Sequence, residues 1–204
     1  MPKRVKKLGK IRDAERTRNK ILNAAKEEFF EKGFSGARIE SIAKRASINK
    51  QLIYHYFKGK EELINATIAN FASSVPKENL TLPADPKKIA EFRFKVNNEY
   101  LMEFLKFTAW EAVEEIPENS NGVESRKKVL QSYVEDMKAK QQKGLVSKDL
   151  DPALITLMMS SLTVYPLLYG KVTEMITGLH PEEQEFQEKW GDFLNLISEK
   201  IFSD

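Results

Sequence analysis

Cysteine is absent from the 204 residues, which excludes a disulfide framework, a thiolate nucleophile and any cysteine-based metal site, and is compatible with a reducing cytoplasm. Histidine is nearly absent, at His55 and His180 alone. Neither lies in a recognisable catalytic motif, and no glycine-rich phosphate loop or nucleophile elbow accompanies them, so the chain does not read as an enzyme. The pairs Glu114–Glu115 and Glu182–Glu183 read as solvated helix ends, and His180 as part of a cap rather than a metal ligand. No metal and no cofactor are expected. Long apolar runs are missing too: the densest, Ala153 to Gly170, is broken by Thr156, Ser160, Ser161, Thr163 and Pro166 and is short of a bilayer span. The basic N-terminus lacks the apolar stretch of a secretory signal, so no membrane association and a cytoplasmic location are expected. Strand signals are scarce, because apolar residues recur at intervals of three and four rather than two. The expected fold class is all-α.

What is present is enough apolar material for a real core: 41% hydrophobic residues, with 12 Phe, 6 Met and 2 Trp, well above a solvated tail. The net charge of +3 conceals a strong polarity. Residues 1–60 carry 17 Lys/Arg against 6 Asp/Glu, whereas residues 61–204 carry 16 against 24. A basic head on an acidic remainder is the footprint of a chain whose front end meets a polyanion, although charge alone fits a solvated basic tail equally well.

Residues 1–11 read as a flexible basic arm. A first helix is expected from about Asp13 to Lys32, with Ile21, Leu22, Ala25, Phe29 and Phe30 on one face and Gly33 as its stop. Two short helices follow, Ile39–Ala46 and Lys50–Tyr56, separated by Ser47-Ile48-Asn49. A fourth, over about 60–75, opens with Glu61 and Glu62 at the positive end of its dipole. The proline-bearing segment Val75–Pro86 reads as a linker, so 1–60 forms one domain, the fourth helix a bridge, and 76–204 a second domain. The latter should hold a long stretch from Lys87 to Glu115 with one break, and a helix over Val123–Lys143 after the gap Ile116–Gly122. A helix opened by Asp151-Pro152 should then run to about Tyr169 with a kink at Pro166, and a last one from Pro181 to Phe202. That makes about nine helices in all.

A helix-turn-helix needs two short helices crossing steeply, a small residue at the crossing, a tight turn and apolar anchors. Ile39, Ile42 and Ala46 on one face, Ala43 at the crossing, Ile48 and Ile53 as anchors and Asn49 as cap supply these parts. The second short helix then turns Lys50, Gln51, Leu52, Tyr54, His55 and Tyr56 outward. Lysine suits guanine acceptors, glutamine the donor–acceptor pair of adenine and leucine a thymine methyl. Tyr54, Tyr56 and Lys60, the last at a helix N-terminus, suit phosphates. Tyr54 alternatively closes the core of the head. The basic arm, Lys3 to Arg12, would add charge near DNA, in or beside a minor groove.

The run from Arg18 to Phe34, of the form R..IL.AA...F...GF, followed by I..IA..A, I-N-x-x-x-I-Y-x-Y-F and K-E-E-L, resembles the N-terminal signature of the TetR (tetracycline-repressor-like) family of transcriptional regulators over about residues 16–64. The resemblance implies phosphate contacts at Tyr54, Tyr56 and Lys60, and base or nearby backbone contacts at Lys50, Gln51, Leu52 and His55. It implies a ligand-responsive regulator, most often a repressor, that binds a palindromic double-stranded operator as a homodimer. Three departures stand out. Arg38 replaces the usual capping Thr, Ser47 the usual turn Gly, and Gln51 and Leu52 the usual small residues. The first two bear on stability and the third on which operator is read.

In the body, a last-helix stripe of Phe186, Trp190, Phe193, Leu194 and Ile197, with Leu157 and Leu162 of the preceding helix, is more apolar than one helix pair needs for itself. The resemblance implies a four-helix dimer interface there, the alternative being a monomer that buries both helices. Phe92, Phe104, Phe107, Trp110, Tyr133, Met137, Met158 and Tyr165 suit either a filled core or an adaptable apolar cavity. The resemblance implies a cavity for a small hydrophobic or amphipathic ligand. A body that binds a protein partner instead is the open alternative.

Overall fold

The computed structural model describes residues 3–114 and 121–202, with side chains described at 13–76, 78–113 and 126–202. The side chains of the basic arm, and most of the gap expected over Ile116–Gly122, lie outside these. No strand forms among the described residues; the protein is all-α, as the periodicity requires.

The head is built on α1 (Lys3–Gly36), α2 (Ile39–Arg45), α3 (Lys50–Tyr56) and α4 (Lys60–Ser74). The arm expected to be flexible is continuous helix with α1 from Lys3, in keeping with the high helix propensity of its Lys, Arg and Leu residues. Gly33 breaks α1 with φ 68°, a left-handed conformation that costs glycine nothing. Ile21, Leu22, Ala25 and Phe29 are buried where α1 packs on α4, and Leu63, Ile64 and Ile68 of α4 are buried in turn. Each of the Ile, Leu and Phe side chains contributes about 1.5–3 kcal/mol.

The body comprises a one-turn α5 (Lys77–Leu80), α6 (Ile89–Val96), α7 (Met102–Glu114), α8 (Asn121–Gln142), α9 (Pro152–Leu168), α10 (Gly170–Thr177) and α11 (Gln184–Ile201). A 3₁₀ turn, Pro86–Lys88, leads into α6, and a π-helical turn, Asn97–Leu101, joins α6 to α7. The expected break in this stretch is thus a bulge in continuous helix. At it the buried Asn97 amide donates to the Thr163 carbonyl and hydroxyl at 3.3 and 3.2 Å. α6 packs on both α9 and α11, so Ile89, Ala90 and Phe94 sit among Met137, Ile155, Met159, Leu167, Phe186 and Leu194.

Two compact units emerge, one of Met1–Ser74 with Trp110–Ser125, the other of Val75–Ala109 with Arg126–Asp204. The linker expected from Val75 is not bare chain, since it carries α5, and the grouping of 110–114 and 121–125 with the first unit has no counterpart in the sequence pattern.

Asp151 caps α9, its carboxylate accepting from the Ala153 and Leu154 amides at 2.8 and 3.0 Å, with Pro152 at the first helical position. Pro166 does not end α9. The sharp turn comes at Tyr169 (φ −106°, ψ 48°), where α10, a helix absent from the sequence expectation, leaves at 91°. α11 begins at Gln184 rather than Pro181, because residues 181–183 form a turn whose carbonyls at Pro181 and Glu182 accept from the Gln187 side chain. Among the described residues no single helix is long and apolar enough to cross a membrane.

Candidate nucleic-acid interface

The turn between α2 and α3 is set by its hydrogen bonds. The Ser47 amide donates to the Lys44 carbonyl at 3.1 Å and the Ile48 amide to the Ala43 carbonyl at 3.0 Å, the paired bonds of a Schellman ending. That ending needs a left-handed residue at position 47, and Ser47 adopts it with φ 53°. Asn49 then caps α3, its side-chain oxygen accepting from the Leu52 amide at 2.8 Å. Arg38, at the N-cap of α2, makes no side-chain cap; its backbone amide instead lies 3.4 Å from Glu28.

Beneath this turn lies an ion cluster that sequence reasoning missed. Glu28 is fully buried; its carboxylate accepts from Lys32 at 3.1 Å and from the Arg45 Nε at 3.0 Å, and Arg45 also pairs with Glu27 and Glu31. Burial alone would raise the Glu28 pKa, but Lys32, the Arg38 amide and Arg45 together hold it below the ordinary carboxylate value. The cluster ties the end of α2 to α1. An acidic residue with a basic partner 17 positions later is not a pattern that helical spacing exposes.

α3 buries only Ile53, and this leaves the rest of its surface outward. Lys50, Gln51 and His55 are exposed, Leu52 and Tyr56 half-buried. Tyr54 is 47% exposed, so it does not close the core. The Lys50 ammonium pairs with Glu40 of α2 and lies 5.7 Å above the Tyr54 ring. This pairing raises the Lys50 pKa and lowers that of Glu40. Tyr56 meets His55 edge-on at 5.5 Å. Lys60, at the start of α4, reaches the Ser35 carbonyl at 3.3 Å and lies 4.7 Å from the Phe34 ring centre. The arrangement is a short helix whose one apolar residue anchors it and whose polar and aromatic side chains are presented together, the form that enters a major groove.

Residues 21–67 match the family profile of bacterial regulatory proteins, tetR family. The head is thus a helix-turn-helix of the tetR type over residues 21–67. The chain's similarity extends beyond the head: it is 28% identical over 177 residues to the HTH-type transcriptional repressor SCO4008 of Streptomyces coelicolor, covering 82% of this chain and 86% of that protein. The fold is shared with the putative transcriptional regulator SCO4942 of Streptomyces coelicolor, at a TM-score of 0.73 and 22% identity over 91% of this chain and 98% of that one. It is shared also with AibR, solved with isovaleryl coenzyme A and operator DNA, at a TM-score of 0.64 and 16% identity over 91% and 98%.

The residues expected around a ligand separate. Tyr133 and Met137 line a small cavity together with Met159, which the sequence also offers for it, and with Leu82, Ile89, Arg93, Thr156 and Ser160, five residues that the sequence did not single out. Met158 packs against the core beside it. Phe107 is fully buried with Phe104 stacked on it at 6.4 Å, and Phe92 is half-buried. Trp110 and Tyr165 are each 48% exposed. Side chains open to solvent to that extent have no place in an enclosed cavity.

The expected interface residues divide likewise. Leu157 and Phe193 are 62% and 44% exposed, whereas Phe186 and Leu194 are buried and belong to the body's own core. Leu162, Trp190 and Ile197 are intermediate. Trp190 serves the fold internally. Pro166 offers no amide to the Leu162 carbonyl one turn back, and the Trp190 indole N–H donates to that carbonyl at 3.2 Å. What remains outward is Leu154, Leu157, Tyr165 and Tyr169 along α9 and its end, Val172, Met175 and Ile176 of α10, and Phe193 and Leu196 of α11.

Proposed function

We propose that the protein is a ligand-responsive repressor that binds a palindromic operator as a homodimer, with α3 as the reading helix. The observation that carries this is the single buried residue of α3 beside its exposed Lys50, Gln51, Tyr54 and His55. Lys50, Gln51, Leu52 and His55 take the base edges or adjacent backbone, and Tyr54, Tyr56 and Lys60 the phosphates. The outward apolar side chains of α9, α10 and α11 support the homodimer, since so many large apolar groups left in solvent on three successive helices call for a cover. AibR, complexed with both an acyl-coenzyme A and operator DNA, supports a small-molecule effector acting on DNA binding, an amphipathic one in that case. Effector binding favours a state in which two reading helices no longer match successive half-sites, and its differential affinity for the two states sets the size of the response. A cytoplasmic location goes with that role.

The test is selection of duplexes from a random library, followed by fluorescence anisotropy on the enriched sequence at several salt concentrations. A palindromic, salt-sensitive site whose affinity falls on Lys50→Ala and Tyr54→Ala supports the proposal. Enrichment of no sequence would overturn it. A second reading, in which the body engages a protein partner, is favoured by one observation: the cavity offers only about 10 Å³, whereas Met175 and Ile176 stand 75% and 73% exposed.

A further inference from the structure

Among the described residues Arg93 is the one charged side chain on the wall of the body cavity, among Leu82, Ile89, Tyr133, Met137 and Met159, with the hydroxyls of Thr156 and Ser160. Its guanidinium lies 4.3 Å from the centre of the Tyr133 ring. Among the described residues no carboxylate comes within salt-bridge reach of it, although its helix neighbours Glu91 and Lys95 pair with each other at 2.8 Å. Burial pushes its pKa down, with only the Tyr133 phenol opposing. A half-buried cation stacked on an aromatic ring but lacking an anion carries a desolvation cost that no partner charge offsets. The position therefore pays for itself only when something negative arrives.

We propose that the body's effector is an amphipathic monocarboxylate, whose carboxylate pairs with Arg93 and whose hydrocarbon part lies against Ile89, Met137 and Met159. This rests on the ligand-responsive reading above. One guanidinium balances one negative charge and matches a carboxylate in a two-bond fork; a phosphate monoester dianion would leave a negative charge unpaired in an apolar wall. The cavity's 10 Å³ corresponds to about one water or one carboxylate oxygen. Room for the hydrocarbon comes from rotation of Met137 and Met159, the side chains best suited to re-pack around an irregular guest.

The experiment uses the full chain and three probes that share a chain length, decanoate, 1-decanol and decyl phosphate, titrated calorimetrically below their micelle concentrations. Hexanoate and octanoate extend the series. Decanoate is expected to bind at least about tenfold more tightly than 1-decanol or decyl phosphate. Arg93→Leu should erase the preference by weakening decanoate alone, while its ligand-free melting temperature stays at or above that of the parent. A residue with a merely structural role would lower that temperature and leave the acid-to-alcohol ratio intact. Equal binding of acid and alcohol by the parent protein, which needs no variant, overturns the proposal, as does the absence of binding by every carboxylate in the series. The reading beneath it fails differently. If 1-decanol releases the selected duplex as well as decanoate does, the response to ligand stands and only the carboxylate is lost. If no duplex is ever selected, the DNA-binding reading is lost, whatever calorimetry reports.

Discussion

Ser47 holds φ at 53° in the turn that leads into α3, the proposed reading helix. A non-glycine residue in this region carries roughly 1–2 kcal/mol of strain, and glycine returns part of the relief through its freer unfolded chain. Ser47→Gly is therefore expected to stabilise the head by about 0.5–1 kcal/mol, seen as a higher melting temperature with duplex selectivity unchanged. Glu28 works in the opposite direction. Its pKa is held low in the folded head despite burial that would raise it, so the folded state binds its proton less readily than the unfolded chain does. The stability it contributes is present above the ordinary carboxylate pKa and is lost as pH falls through the lowered folded value. Glu28→Gln is expected to cost about 2 kcal/mol at neutral pH and to flatten the acid side of a melting-temperature profile followed from neutral into acid solution. A variant that keeps the parent's acid slope would show that the slope comes from other carboxylates.

Between α2 and α3, Glu40 holds the Lys50 ammonium on the face proposed to meet DNA. A phosphate or a guanine must displace that carboxylate, and Glu40 also repels the backbone. Glu40→Gln is expected to tighten binding to all duplexes alike and to steepen the log–log salt dependence by about one phosphate's worth. Anisotropy titrations at about 50–200 mM salt measure this; a gain confined to one sequence would instead make Glu40 a reader of bases. In the body, Trp190→Phe removes the donor to the Leu162 carbonyl and is expected to cost about 1–2 kcal/mol in a chemical melt.

The same elements explain what can be read in advance. The head is legible because its constraints are local: a cap at Asn49, a small crossing residue at Ala43 and fixed spacings between Ile42, Ile48 and Ile53 say where each helix starts and which way it faces. α10 is not, since an eight-residue helix gives barely two turns of periodicity and its Val172, Met175 and Ile176 point outward. Aromatic content points to a cavity lined by rings, yet the distinguishing member of the cavity is Arg93, which nothing in sequence separates from the other Lys and Arg of the chain until the fold surrounds it with apolar walls.

At the level of the whole molecule, the proposed homodimer makes operator recognition and self-association one problem. A palindromic site offers two half-sites about 34–36 Å apart, and a protein that engages both converts the second contact into an intramolecular event worth about 10²–10⁴ in affinity. The outward Leu157 of α9 and Phe193 of α11 are the places to break that linkage, because neither belongs to the body's core, whereas Phe186 and Leu194 do. Leu157→Asp combined with Phe193→Asp is expected to leave the helical circular dichroism intact and to halve the mass in sedimentation velocity. It should cut affinity for the full palindrome by about 10²-fold or more while leaving affinity for an isolated half-site nearly unchanged. The salt slope should also fall by half, since one head neutralises half the phosphates. A parent protein that sediments as a monomer and still selects palindromes would break this chain of inference, and would hand the exposed surface of α9, α10 and α11 to a protein of another kind.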